Sequence, residues 1–114
     1  MKRDMDLVRL VLLNAEGEEP VDLSDFDQIT VGYHCHLVMQ AGLAEGVDMS
    51  VNEIQEPQAR LLTLTWNGHD FLDAVRNETI WKRLKGTVKD KGGSLPFSVI
   101  QSLAIEIAKN VAGL

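Results

Sequence analysis

The chain has one cysteine, no uninterrupted apolar run long enough to cross a bilayer, and few positive charges in its first half. Each shortage closes off a class of protein. Cys35 has no partner for an internal disulfide, and the opening MKRDMDLVRL is charged throughout, unlike a secretory signal, so the expected compartment is the reducing cytoplasm. The most apolar stretch, LPFSVIQSLAIEIAKNVAGL, is broken by Gln101, Glu106, Lys109 and Asn110, which are costly in lipid, and no membrane partner is expected. Glycine-rich phosphate loops, paired-carboxylate motifs and nucleophile elbows are also missing. The expectation is a protein that is not an enzyme and takes no cofactor. Asn77-Glu78-Thr79 spells a glycosylation acceptor that has no meaning in the cytoplasm.

A length of 114 residues, 45% hydrophobic and 25% charged, suits a soluble globular chain with one core. Its net charge of −6 is unevenly spread: residues 1–60 carry 4 Lys/Arg against 12 Asp/Glu, and residues 61–114 carry 7 against 5. The cations gather in WKRLKGTVKDK, residues 81–91. A nucleic-acid binder needs a basic footprint, which here must come from that cluster.

Helical spacing of Met5, Val8, Val11, Leu12 and Ala15 predicts a first helix capped by Asp4, and EGEEP stops it. Val21–Leu23 reads as a short strand. A second helix is predicted over Gln28–Ala41, closed by Gly42 in a left-handed conformation with Leu43 folding back. Residues 47–51 and 60–66 alternate and predict an antiparallel hairpin with a long tip, Val47, Met49 and Val51 facing inward on one strand and Leu62, Leu64 and Trp66 on the other. Thr65 caps a long third helix with Phe71, Leu72, Val75, Ile80 and Leu84 on its apolar side. Ser94 with Pro96 opens a last helix striped by Phe97, Ile100, Leu103, Ala104, Ile107 and Val111, which docks on its own domain or mediates a homodimer.

The segment YHCHLVMQAGL, residues 33–43, sets two of three histidines around the sole cysteine. On a helix, positions two apart point about 200° away from each other, so His34 and His36 cannot share an ion. No metal site is expected, and Cys35 reads as a small buried side chain. His34 and His69 read as core-margin histidines in mutual contact, and His36 as exposed.

The order helix, short strand, helix ending in Ala41-Gly42-Leu43, hairpin, helix resembles winged-helix proteins, a helix-turn-helix variant. HCHLVMQAGL is similar to the end of their recognition helix, and LTWNGHDFL, residues 64–72, to the phrase after the wing. MKRDMDL, LTW through Trp81, and KGGSLPF resemble an uncharacterised family of small bacterial and prophage-encoded proteins, a domain of unknown function. The resemblance implies a mainly α fold with a small antiparallel hairpin, winged-helix-like over 1–93, plus the C-terminal helix 94–114. Between Glu19 and Gln28 there is room for only about two helical turns, so the bracing helix of a helix-turn-helix is shortened or absent. Two functions follow as expectations. One is a prophage-type regulator that meets DNA through Gly32, Tyr33, His36, Met39 and Gln40, with Arg60, Lys82, Arg83, Lys85, Lys89 and Lys91 on phosphates, helped by Lys2 and Arg3. The other is a protein–protein adaptor that uses the same face and the acidic loop 52–58.

Overall fold

Asp4 starts the fold by standing in extended backbone and accepting the N–H groups of Asp6 and Leu7, which have no partner inside a helix. In the computed structural model, which describes residues 1–113, this opens α1 (Met5–Glu16). Then follow α2 (Gln28–Gln40), β1 (Ala44–Asp48), β2 (Ala59–Leu64), α3 (Trp66–Val75), α4 (Glu78–Asp90) and α5 (Phe97–Ala112). The architecture is mainly helical with one two-stranded antiparallel hairpin. The chain divides into two compact units, Met1–His69 and Asp70–Leu114, and α3 runs across the boundary.

In the first unit α1 buries Leu7, Val8, Val11 and Leu12, and α2 packs on α1 and on both strands. The segment 17–27 contains a single turn, closed by Phe26 N–H on the Leu23 carbonyl at 3.1 Å. The short strand expected at Val21–Leu23 is therefore not formed, and no bracing helix precedes α2. α2 ends as its sequence predicts. Gly42 takes φ 75°, its N–H reaches the Met39 carbonyl and the Leu43 N–H reaches Val38, both at 3.0 Å. This double bond pattern satisfies the last carbonyls and buries Leu43.

The hairpin corrects the sequence reading most. Ala44 pairs with Leu64 and Glu45 with Thr63, but Gly46 pairs with Leu61, so Leu62 is an extra residue bulged out of the ladder. The inward residues are Ala44, Ala59 and Leu64, while Val47, Met49, Val51, Leu62 and Trp66 are exposed. A one-residue slip exchanges the two faces of a strand, and alternation alone cannot reveal it.

Thr65 caps α3 as expected: its hydroxyl donates to the Gly42 carbonyl at 2.6 Å and accepts the Gly68 N–H at 3.1 Å. The single long helix predicted beyond it is two. Asn77 leaves helical geometry and accepts the N–H groups of Thr79 and Ile80 at 2.8 and 3.2 Å, so it begins α4. In the second unit α4 packs on α5, burying Ile80, Trp81 and Leu84 from one and Ile100, Ala104 and Ile107 from the other. The Phe71 and Phe97 rings meet edge to face at 5.1 Å. Pro96, not Ser94, occupies the N-cap of α5 and makes no side-chain cap bond. Most of the predicted stripe is used within this unit, and the exposed Val99, Ile105 and Val111 fall about 120° apart around the helix.

Two glycines separate crowding from propensity. A Cβ at Gly68 would overlap the Leu43 carbonyl oxygen, a backbone atom with no freedom to move aside, whereas a Cβ at Gly86 meets nothing. Gly68→Ala should lower stability by about 2 kcal/mol or more, and Gly86→Ala should raise it by about 0.5–1 kcal/mol, both read from urea unfolding followed by circular dichroism.

Candidate interaction face and groove

α2 presents the residues singled out from the sequence. Its first turn is held by Asp27, whose carboxylate accepts the Thr30 N–H at 2.8 Å and the Thr30 hydroxyl at 3.0 Å. Those bonds, the backbone one first, hold the Asp27 carboxyl below the usual carboxylate range. With the start and the Gly42 end both fixed, 100° per residue sends His34 and Val38 inward and turns Tyr33, His36, Met39 and Gln40 away from that side. There Gln40 is exposed and the other three are half-buried, His36 included, against its expected exposure.

His34 is fully buried and fully bonded. Nε2 accepts the Asp4 backbone N–H at 2.9 Å, so Nδ1 carries the proton and donates to the Thr30 carbonyl at 2.8 Å. The partner of His34 is thus the cap residue of α1, which corrects the expected pairing with His69; His69 is exposed. Tyr33 stands edge-on to the imidazole at 5.8 Å. His36 lies on the outward side and contributes, behind the Ser50 hydroxyl and N–H, to holding the Asp48 carboxyl below its usual range.

Gly32 is also placed differently from the expectation. The Gln58 carboxamide from the hairpin loop lies on it, where a Cβ would overlap Oε1, while Nε2 donates to the Ile29 carbonyl at 3.0 Å. Ser50 closes the same loop, its hydroxyl accepting the Gln58 N–H at 3.0 Å. Gly32 is therefore a seat for Gln58 instead of an open recognition position. A glycine inside a helix costs roughly 1 kcal/mol and calls for a packing reason, which is the signal that could have found this contact.

The predicted cations are divided between the two units. Arg60 lies on β2 in the first unit, while Lys82, Arg83, Lys85 and Lys89 lie on α4 and Lys91 follows it, all exposed, in the second. Lys82, Lys85 and Lys89 share one side of α4 at helical spacing, and Lys85 Nζ sits 5.8 Å from the Trp81 ring centroid. The first unit also holds a groove of about 1000 Å3 that no sequence motif marks, walled by α1, the segment after it, α2 and the hairpin. Cys35 lines it, half-buried, and burial pushes its thiol up to about 11. Among the described residues, no three His, Cys, Asp or Glu side chains are grouped so as to hold a metal ion.

Residues 2–94 match the family described as "Hypothetical protein (DUF2513)". The chain belongs to this family. A relative in Haemophilus influenzae, titled "Uncharacterized protein", is 40% identical over 111 residues, covering 91% of this chain and 92% of its own. No solved structure matches. The family match takes in α1 to α4, and so includes His34, the Gly32–Gln58 seat and the groove, but stops short of α5.

Replacing His34 with Leu fills the space and leaves the Asp4 N–H without an acceptor, so stability should fall by about 1–3 kcal/mol, with His34→Gln falling less. Alkylation of Cys35 by iodoacetamide should be slow at neutral pH and still rising above pH 9, because the reactive thiolate forms only as pH approaches its raised value. A rate that levels off near pH 8 would contradict a buried, apolar setting for the thiol.

Proposed function

We propose that the chain is a non-enzymatic adaptor of the cytoplasm whose first unit binds another protein through the outward side of α2 and the hairpin. The observation that carries this reading is the set of large apolar side chains left exposed on the hairpin and at the start of α3. Leu62 on β2 is 60% exposed and Trp66 at the start of α3 is 83% exposed, and Val47 on β1 is exposed as well. Exposed aromatic and aliphatic side chains in one short segment are the usual mark of an interface. The half-buried Tyr33, His36 and Met39 with exposed Gln40 extend it onto α2. Charge supports the same reading, because residues 1–69 carry 4 Lys/Arg against 12 Asp/Glu and no cation lies between Gln28 and Leu43. Phosphate neutralisation supplies most of the affinity for DNA, and such a surface repels phosphate.

A second reading, a winged-helix-like, prophage-type regulator that binds DNA, draws support from the Lys82, Lys85 and Lys89 ridge on α4. Titration with mixed duplex DNA at about 50 and about 200 mM salt separates the two, since a DNA complex should weaken by orders of magnitude over that range. The adaptor reading expects no salt-sensitive DNA complex. It also expects a cross-linked and then purified partner whose affinity falls at least roughly tenfold with Leu62→Ser and Trp66→Ser and is unchanged by Lys82→Glu with Arg83→Glu. A DNA complex abolished by those two charge reversals would transfer the role to DNA binding.

A further inference from the structure

The groove of the first unit is concave, open and differs in character from the hairpin surface. Val11, Leu23, Phe26, Ile29, Ile54 and Leu61 supply an apolar floor, and Arg60 is the single charged residue on its lining. The floor is left open because residues 17–27 hold only one turn.

The lining residues alternate along the chain with exposed carboxylates. Asp22, Asp25 and Asp27 flank Leu23, Ser24 and Phe26 on one wall, and Asp48 and Glu53 adjoin Met49 and Ile54 on the other. The Ser24 hydroxyl and then its N–H hold the Asp22 carboxyl below its usual range, as Thr30 and Ser50 do for Asp27 and Asp48. Both rims therefore remain anionic into mild acid.

The chemistry of the floor selects the shape of an occupant. The carboxamide nitrogen of Gln58, the side chain best placed to bind an extended peptide backbone, already serves the Ile29, Glu56 and Pro57 carbonyls. A helix bonds its own backbone internally and can lie on an apolar floor without such help. Cations on its flanks would meet the two acidic rims. The basic helix α4 of a second copy does not qualify, because its apolar side, Ile80, Trp81 and Leu84, is buried within its own unit.

From the apolar floor and its two acidic rims, we propose that this groove takes an amphipathic helix of a partner protein, aliphatic toward the floor and Lys/Arg-rich on both flanks. The proposal rests on the protein-interaction reading and names the partner's chemistry at a neighbouring face. A synthetic Leu/Lys amphipathic helix of about 16 residues, long enough for four turns, is the probe, compared with a Leu/Glu counterpart and a scrambled Leu/Lys peptide on the full chain. The Leu/Lys helix should bind with micromolar affinity, slow alkylation of Cys35 at least roughly fivefold, and lose about tenfold in affinity in Asp25→Lys with Glu53→Lys. These exposed changes should leave the circular dichroism spectrum intact. Equal binding of the scrambled peptide, equal binding of the Leu/Glu helix, or no protection of Cys35 each overturns the proposal. The Leu62→Ser, Trp66→Ser variant should bind the peptide normally. If the peptide fails while that variant still loses the purified partner, the groove assignment falls and the adaptor reading stands.

Discussion

A single imidazole, held between the cap of one helix and the first turn of another, is the constraint on which the first unit depends. The cap residue Asp4 uses its carboxylate on the N–H groups ahead of it, which leaves its own N–H to be satisfied, and His34 accepts it. In a capping box that acceptor comes from three residues further along the same helix. Here it comes from 30 residues away, so the start of α1 and the rotation of α2 about its axis are set by one contact. That rotation decides the chemistry of the whole segment 33–43. With His34 inward, His36 must point away, Cys35 must turn toward the groove, and Tyr33, Met39 and Gln40 must line the outward side. The cluster that looks like a ligand set in one-letter code is dispersed by helical geometry.

The hairpin is tied to the same helix at both ends by backbone groups, which is why it can expose large apolar side chains without losing its position. At the base, the Thr65 hydroxyl and N–H bind the Gly42 and Leu43 carbonyls, and Gly68 allows the approach. At the tip, Gln58 binds the Ile29 carbonyl over Gly32. Neither tie uses the outer face of the hairpin. Leu62 on that face, and Trp66 at the start of α3, take no part in either tie, and their exposure is difficult to explain as a by-product of folding.

What could be read from the sequence divides along the line between local and distant causes. The caps Asp4 and Thr65, the Gly42 terminus and the extent of α2 depend on residues within a turn of each other, and each was readable. The break at Asn77 was also local, but the apolar spacing of Phe71 through Leu84 continues across it, and a strong cap residue was outweighed by periodicity. In the hairpin, a bulge at Leu62 changes the phase of the β2 alternation without changing its composition, β1 runs over Ala44–Asp48 instead of the alternating 47–51, and Trp66 belongs to α3. The partner of His34 and the role of Gly32 depend on residues roughly 30 positions away, which no window along the chain contains. The groove could not be read at all, since it is made by the absence of a helix between Gly17 and Asp27 as much as by the residues that line it.

That missing helix and the charge distribution are connected. Residues 16–27, EGEEPVDLSDFD, hold six carboxylates and no cation. Packing so many like charges at three- and four-residue spacing along a helix would add repulsion at every turn, and Gly17 and Pro20 weaken it further. An extended path separates the carboxylates, lets Asp22 and Asp27 bind nearby hydroxyl and amide groups, and still lays Leu23 and Phe26 against the unit as one wall of the groove. The same stretch therefore opens the apolar floor and surrounds it with negative charge. A segment with that composition disfavours a phosphate backbone and favours a cationic side chain, which is why the charge of the first unit weighs more in its functional reading than its order of helices and strands.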